Sequence, residues 1–134
     1  MTSFFREGGD NVRVTLIYPP DSQLPFTRSG TLLPPLGIAY LASVLRQSGR
    51  CVSMLDLSTK NNRSIREHVD TILDTDPHVV GVTTLSYSWS STRNLIEALR
   101  KDFDGVIVAG GPHTTAVGGR VLAECPPPRF RNLR

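Results

Sequence analysis

Four short runs of β-branched and apolar residues, Arg13–Tyr18, Cys51–Leu57, His78–Thr84 and Gly105–Ala109, are separated by stretches with helical periodicity. This alternation constrains the fold more than any other feature. A strand can return parallel to its neighbour only through a crossover of a dozen or more residues, and such crossovers are right-handed. Each gap carries a segment long enough to be one. The first, third and fourth runs are apolar almost throughout, as strands covered on both faces are. The expected class is therefore α/β: a flavodoxin- or Rossmann-like three-layer sandwich with a parallel sheet of order 2-1-3-4.

The crossovers can be read individually. From Leu36 to Ser48 apolar residues recur at Ile38, Leu41, Ala42 and Leu45, with Pro35 at the start and Gly49 just past the end, which predicts a helix. Asn62 is the expected cap of a second helix running to about Asp74 with Ile65, Val69, Ile72 and Leu73 on its face. Asp76-Pro77 stops it. Ser90 or Ser91 is the expected cap of a third helix carrying Leu95, Ile96, Leu99 and Phe103, and a short helix around Gly119 to Glu124 follows the last strand. Residues 13–124 then form the domain, preceded by a disordered segment 1–12. Residues 125–134 read as a Pro/Arg tail, since Pro126-Pro-Pro removes ladder donors and cannot form a native-like fifth strand. A missing last strand implies a truncated domain, an exposed edge, or an edge covered by another chain.

Composition excludes several classes. A chain of 134 residues is one domain's length, and 39% hydrophobic with 20% charged residues suits a globular protein rather than a disordered one. No apolar run spans a membrane and the first residues have no signal-peptide core, so a cytoplasmic protein is expected. The net charge is +3, but Arg129, Arg131 and Arg134 in the tail supply that excess, while the stretch from Arg13 to Glu124 is close to neutral. No basic stripe or aromatic platform for nucleic acid is present. Cys51 and Cys125 belong to no CxxC or Cys/His cluster, which rules out structural zinc and iron–sulfur spacing and favours two reduced thiols.

In an open parallel sheet a ligand sits beyond the carboxyl ends of the strands, at the point where the strand order reverses. Three segments meet there: Pro19 to Pro35, Leu85 to Ser91, and Gly110 to Thr115. The second sets hydroxyls beside Tyr87 and Trp89. The third, Gly-Gly-Pro-His-Thr-Thr, lets backbone approach a ligand with no Cβ between them. Each has a plainer reading: Gly110-Gly111 as a tight turn, Tyr87 and Trp89 as packing, His113 as a hydrogen-bonded loop histidine, Asp21 and Asp56 as ordinary carboxylates. No G-x-G-x-x-G follows the first strand and no G-x-x-x-x-G-K-[ST] occurs, so the common phosphate cradles are missing. A phosphate-receiver domain needs a carboxylate where this chain has Thr83. No catalytic set stands out.

Three segments together resemble the N-terminal cobalamin-binding domain of cobalamin-dependent radical SAM enzymes, the group that includes methyltransferases and the anaerobic magnesium-protoporphyrin cyclase. They are Pro34-Pro-Leu-Gly-Ile-Ala-Tyr-Leu-Ala42, Asp76-Pro-His-Val-Val-Gly-Val-Thr83 and Val108-Ala-Gly-Gly-Pro-His-Thr114. The resemblance covers about Val14 to Glu124. It implies a Rossmann-like domain that holds cobalamin with its nucleotide tail between sheet and helices. A Ser-x-Leu after the third strand and a Gly-Gly after the fourth line that tail in related domains, and Thr83-Thr84-Leu85 and Gly110-Gly111 stand in those places. The implied cofactor-binding set is Thr83, Thr84, Leu85, Ser86, Gly110, Gly111, Pro112 and His113, with no metal ligand from the protein.

Two departures refine the expectation. Methionine-synthase-like cobalamin domains carry Asp-x-His-x-x-Gly after the first strand, with the histidine on cobalt, but this chain has no histidine from Met1 to Glu67. Binding without a histidine ligand is therefore implied. Radical SAM chemistry also needs Cys-x-x-x-Cys-x-x-Cys for a [4Fe–4S] cluster, which is not here, so the cluster and S-adenosylmethionine belong to a separate catalytic domain and this chain alone is not catalytic. A stand-alone flavodoxin-like carrier or protein-interaction module is the alternative. An unrelated small-molecule enzyme using His113 and the Ser/Thr-rich loops is a third reading.

Overall fold

The computed structural model describes residues 11–20, 35–60 and 62–125. Its four strands, β1 (Arg13–Tyr18), β2 (Cys51–Asp56), β3 (Val79–Thr83) and β4 (Val106–Gly110), form one parallel sheet in the order β2-β1-β3-β4. The expected strand order is the one observed. Leu16 pairs with Met54 on one side and Gly81 on the other, and Gly81 pairs with Val108. These middle residues lie in one row across the sheet. The segments expected at 1–10, 21–34 and 126–134 lie outside the described residues.

Helix α1 (Leu36–Gln47) packs on one face over β1 and β2, burying Ile38 and Ala42 against Leu16 and Val52. Gly49 closes it at φ +83°, its N–H donating to Arg46 O while Arg50 N–H reaches Leu45 O. Only a residue free of Cβ crowding takes that left-handed turn cheaply. The opposite face is covered by α2 (Ile65–Leu73), α3 (Trp89–Asp102) and α5 (Arg120–Glu124). Ile17, Val80 and Val82 of the sheet meet Val69 and Ile72 of α2, Leu95, Ile96 and Leu99 of α3, and Val121 of α5 in one buried cluster.

The helix caps correct the sequence reading. α2 is capped by Ser64, whose hydroxyl accepts from Glu67 N–H at 3.2 Å while the Glu67 carboxylate accepts from Ser64 N–H at 2.6 Å. This reciprocal box satisfies two end donors; Asn62 lies two residues outside it. α3 begins at Trp89 rather than after a serine cap at 90 or 91, because burial of the indole draws the first turn onto the sheet, and Ser88 precedes it with no side-chain cap bond. The segment from Gly110 to Thr115 is not an extended loop either. Pro112 starts α4 (Pro112–Val117), where its missing N–H has no helical partner to lose.

At the amino ends of the strands, Arg13 N–H donates to His78 Nδ1 at 2.9 Å, Arg13 Nε donates to Asp76 O at 2.6 Å, and the guanidinium pairs with the Asp76 carboxylate at 2.7 Å. The Asp-Pro-His run thus fastens β1 to β3 at the far end of the sheet from the loops of interest. Among the described residues no helix is long and apolar enough to cross a membrane.

Candidate functional site

The carboxyl ends of β3 and β4 are held together by one hydroxyl. Thr84 is completely buried; its Oγ1 donates to Gly110 O at 2.9 Å, accepts from Thr114 N–H at 3.1 Å and shares a 2.7 Å bond with the Thr114 hydroxyl. Its backbone adds two more ties, Thr84 N–H to Gly110 O at 2.7 Å and His113 N–H to Thr84 O at 3.1 Å. Gly111 turns between them at φ +110°, and a Cβ there would come within 2.9 Å of Thr84 O and 3.0 Å of Thr83 Oγ1. Both the backbone angle and the space require glycine.

Behind this joint, His113 is nine-tenths buried and stacks on Trp89 with ring centroids 4.7 Å apart. Its Nδ1 lies 3.1 Å from Ser86 Oγ, and its Nε2 is buried without a partner among the described residues. Trp89 donates from Nε1 to Glu124 at 2.5 Å. The two aromatic side chains therefore pack the loop after β3 against α4 and α5.

In front of the joint a cleft of about 490 Å³ opens between α1 and the sheet. Its floor is the face of β1, β3 and β4 that carries Val14, Leu16, Val79, Gly81, Thr83, Val108 and Gly110; its side wall is Gly37, Ile38, Leu41 and Leu45 of α1; Gly111 and Pro112 stand at the mouth. A Cβ added at Gly37 or Gly110 would meet nothing within 4 Å, so both glycines face empty space. The volume lies within the range of ligand pockets, and the lining is apolar with few polar groups, as such pockets are. The Thr83 hydroxyl has no hydrogen-bond partner among the described residues.

The eight residues singled out from the sequence thus fall into two sets. Thr83, Gly110, Gly111 and Pro112 line the cleft. Thr84 and Ser86 spend their hydroxyls, and His113 its Nδ1, on fastening the loops, and Leu85 sits half-buried between them, its carbonyl accepting from Ser88 N–H at 3.2 Å. The aliphatic depth of the cleft was not foreseen. Two signals were available: helix α1 is apolar on more than one side, with Leu36, Tyr40, Leu41 and Val44 exposed, and Gly81 interrupts a strand interior.

The chain's three histidines are all away from the cleft. His78 is tied to Arg13, His113 faces Trp89, and His68 is buried on α2 with Nδ1 unpartnered. Burial, with a smaller push from Arg63, holds the His68 imidazole below its ordinary pKa. Among the described residues no group of three His, Cys, Asp or Glu side chains could hold a metal ion.

The fold and the sequence are similar to those of known proteins. An uncharacterized methyltransferase of Pyrococcus horikoshii is 28% identical over 116 residues, which are 86% of this chain and 25% of the relative. The radical S-adenosylmethionine methyltransferase TsrM of Kitasatospora setae, solved with cobalamin and a [4Fe–4S] cluster bound, superposes with a TM-score of 0.70 at 18% identity, over 85% of this chain and 22% of that one. The same enzyme with tryptophan substrate and a SAM analogue gives 0.69 at 19%, over 83% and 21%. The chain therefore spans about a quarter of the length of these proteins, and at such identities the two structures establish the fold alone. The B12 binding domain family model matches residues 24–128. With that match over most of its length, the chain belongs to the B12-binding domain family.

Proposed function

We propose that this B12-binding domain holds cobalamin without a histidine on cobalt, its nucleotide tail entering the cleft between α1 and the sheet, as the cobalamin-binding part of a radical SAM methyltransferase or cyclase-like parent. The observation that carries the reading is the cleft itself, which opens at the strand ends beside Gly110 and Gly111 and has vacant space in front of Gly37 and Gly110. A side chain at either glycine would fill part of it. The residues present fit the cofactor: glycine backbone at the mouth for close approach, a spare hydroxyl at Thr83 to bond the tail, and aliphatic walls for its apolar end. Thr83, Gly110, Gly111 and Pro112 would touch the tail. Thr84, Ser86 and His113 would hold those contacts in place.

Two observations support binding without a histidine ligand: no histidine precedes His68 in the sequence, so none stands in the segment after β1, and none of the three lines the cleft. Bound cobalamin supplies cobalt chemistry of the methyl-transfer or radical class. This chain's residues bind and orient it, and the [4Fe–4S] cluster and S-adenosylmethionine belong to the catalytic part of the parent. The Pyrococcus and Kitasatospora relatives, both methyltransferases by description, favour that parentage over a stand-alone carrier. Titration of the chain with hydroxocobalamin, followed by visible absorption, should give a saturable spectral change; a folded chain that leaves the spectrum unaltered would refute the reading. The bound Co(II) form should show no axial-nitrogen splitting in its EPR spectrum; splitting that changes from a triplet to a doublet when the histidines are labelled with 15N would refute histidine-off binding.

A further inference from the structure

The cleft is polar only at its mouth. Thr83 and Gly110 stand at the carboxyl ends of their strands, while Val79 and Val14 stand at the inner end, four residues away at about 3.3 Å each, so the slot runs about 13 Å down the sheet. Beyond Thr83 the walls are Val14, Leu16, Leu45, Val79, Gly81 and Val108. Among the described residues no charged, amide or hydroxyl side chain lines that inner part. Gly81 lies in the middle of the floor, where a Cβ would run into Leu16 Cδ2 at 2.7 Å, so the Leu16 side chain packs over the glycine and the floor there is aliphatic.

We infer that this slot selects corrinoids by the base that ends their tail, accepting a benzimidazole or phenolic base and discriminating against a purine. The inference rests on the cobalamin reading above. An aromatic base in the slot buries carbon against the aliphatic carbon of Leu16, Val79 and Val108. A purine brings an exocyclic amine and several ring nitrogens into the same space, where they lose water and meet no partner. Each stranded polar atom weakens binding by about tenfold or more. Thr83 can satisfy an atom at the mouth but not one at the depth of Val79.

The test is equilibrium binding of three corrinoids to the whole chain: hydroxocobalamin, its adenine-tailed counterpart, and cobinamide, which lacks the base. Hydroxocobalamin should bind at least about tenfold tighter than either of the others. Equal affinity for the benzimidazole and adenine forms would overturn the selectivity and leave the cobalamin reading intact. Equal affinity for cobinamide and hydroxocobalamin would overturn it as well, by showing that the base gains nothing from the slot. No binding of any corrinoid to the folded chain would overturn the cobalamin reading and the selectivity together. The variant Val108→Asn puts an amide into the slot wall from the half-exposed strand β4, where it disturbs the core little. It should narrow the ratio of benzimidazole to adenine affinity several-fold, and an unchanged ratio would overturn the assignment to this slot.

Discussion

The two faces of the sheet are built differently. On one, α2, α3 and α5 close over Ile17, Val80 and Val82 in a cluster of twelve buried side chains among the described residues. On the other, α1 covers β1 and β2 with a cluster of four, and the strands beside it keep apolar side chains open, Val106 and Val108 at 53% and 51% exposure. The same β4 alternates between these environments, with Ile107 and Ala109 packed against the larger cluster. A sheet whose strands are apolar on both faces can therefore commit one face to stability and reserve part of the other for a ligand. The packed face sets how firmly the strand ends are held, and the open face sets what can be held there.

The comparison can be broken most directly by truncation. Leu99→Ala on the packed face should cost about 2–5 kcal/mol of unfolding free energy, measured by urea denaturation. Val108→Ala on the open face should cost well under 1 kcal/mol because its side chain is half in water already. Similar losses for the two variants would mean that the faces share the load.

Next in size is the joint between them. Thr84→Val keeps the shape and the backbone bond to Gly110 O but leaves the Thr114 N–H and hydroxyl without their partner, so a loss of about 1–3 kcal/mol is expected, largely restored in Thr84→Ser. A neutral valine would show that these bonds do not bear on the fold.

Gly110→Ala sharpens the contrast from the ligand's side. Its Cβ meets nothing in the protein, so stability should stay within a few tenths of a kcal/mol or rise slightly. Cobalamin affinity should fall about tenfold, or about 1.4 kcal/mol, by titration. Loss of stability with unchanged affinity would reverse the roles given to the two faces.

The subtlest effect concerns His68, buried behind the packed face. Its folded pKa lies below the ordinary 6.5, mainly through burial, so the unfolded chain binds the proton more readily. Stability should thus be level above about pH 6.5 and fall as the pH drops below it. Glu67 is held below its ordinary 4.5 by the bonds from Ser64, so its share is lost only at lower pH still. Urea curves at pH 7.5 and 5.5 should differ for the natural chain and differ less for His68→Leu. A stability that rises on acidification would contradict the burial of a neutral ring.

Much of the architecture could be read from the chain because strand and crossover alternation leaves few topologies. The sheet order and α1, with its closing Gly49, came from that pattern. The caps did not: Asn62 and Ser64 are both good cap residues and only Ser64 has a glutamate three residues on to complete the box, while the start of α3 is decided by burial of Trp89, a tertiary event. At the site, Gly110 and Gly111 are legible through the resemblance to a Gly-Gly after the fourth strand, since a tight turn alone would also need them. Thr84 and His113 belong to the segments that carry the resemblance, yet the Thr84 hydroxyl and His113 Nδ1 bond other loop residues instead of facing the cleft. The cleft's depth depends on which alternate residues of three separate strands share a face with α1, and no single segment contains that information.

Trp89 is the chain's one tryptophan, and it is wedged between an imidazole ring and a carboxylate. The indole emission of this protein therefore comes from a single known place, immediately behind the wall that the cleft shares with its loops. A change in that emission when a visibly absorbing corrinoid is added would report distance to that point, and a change without ligand would report movement of α4 or α5. The molecule carries its own optical probe, positioned by packing rather than by labelling.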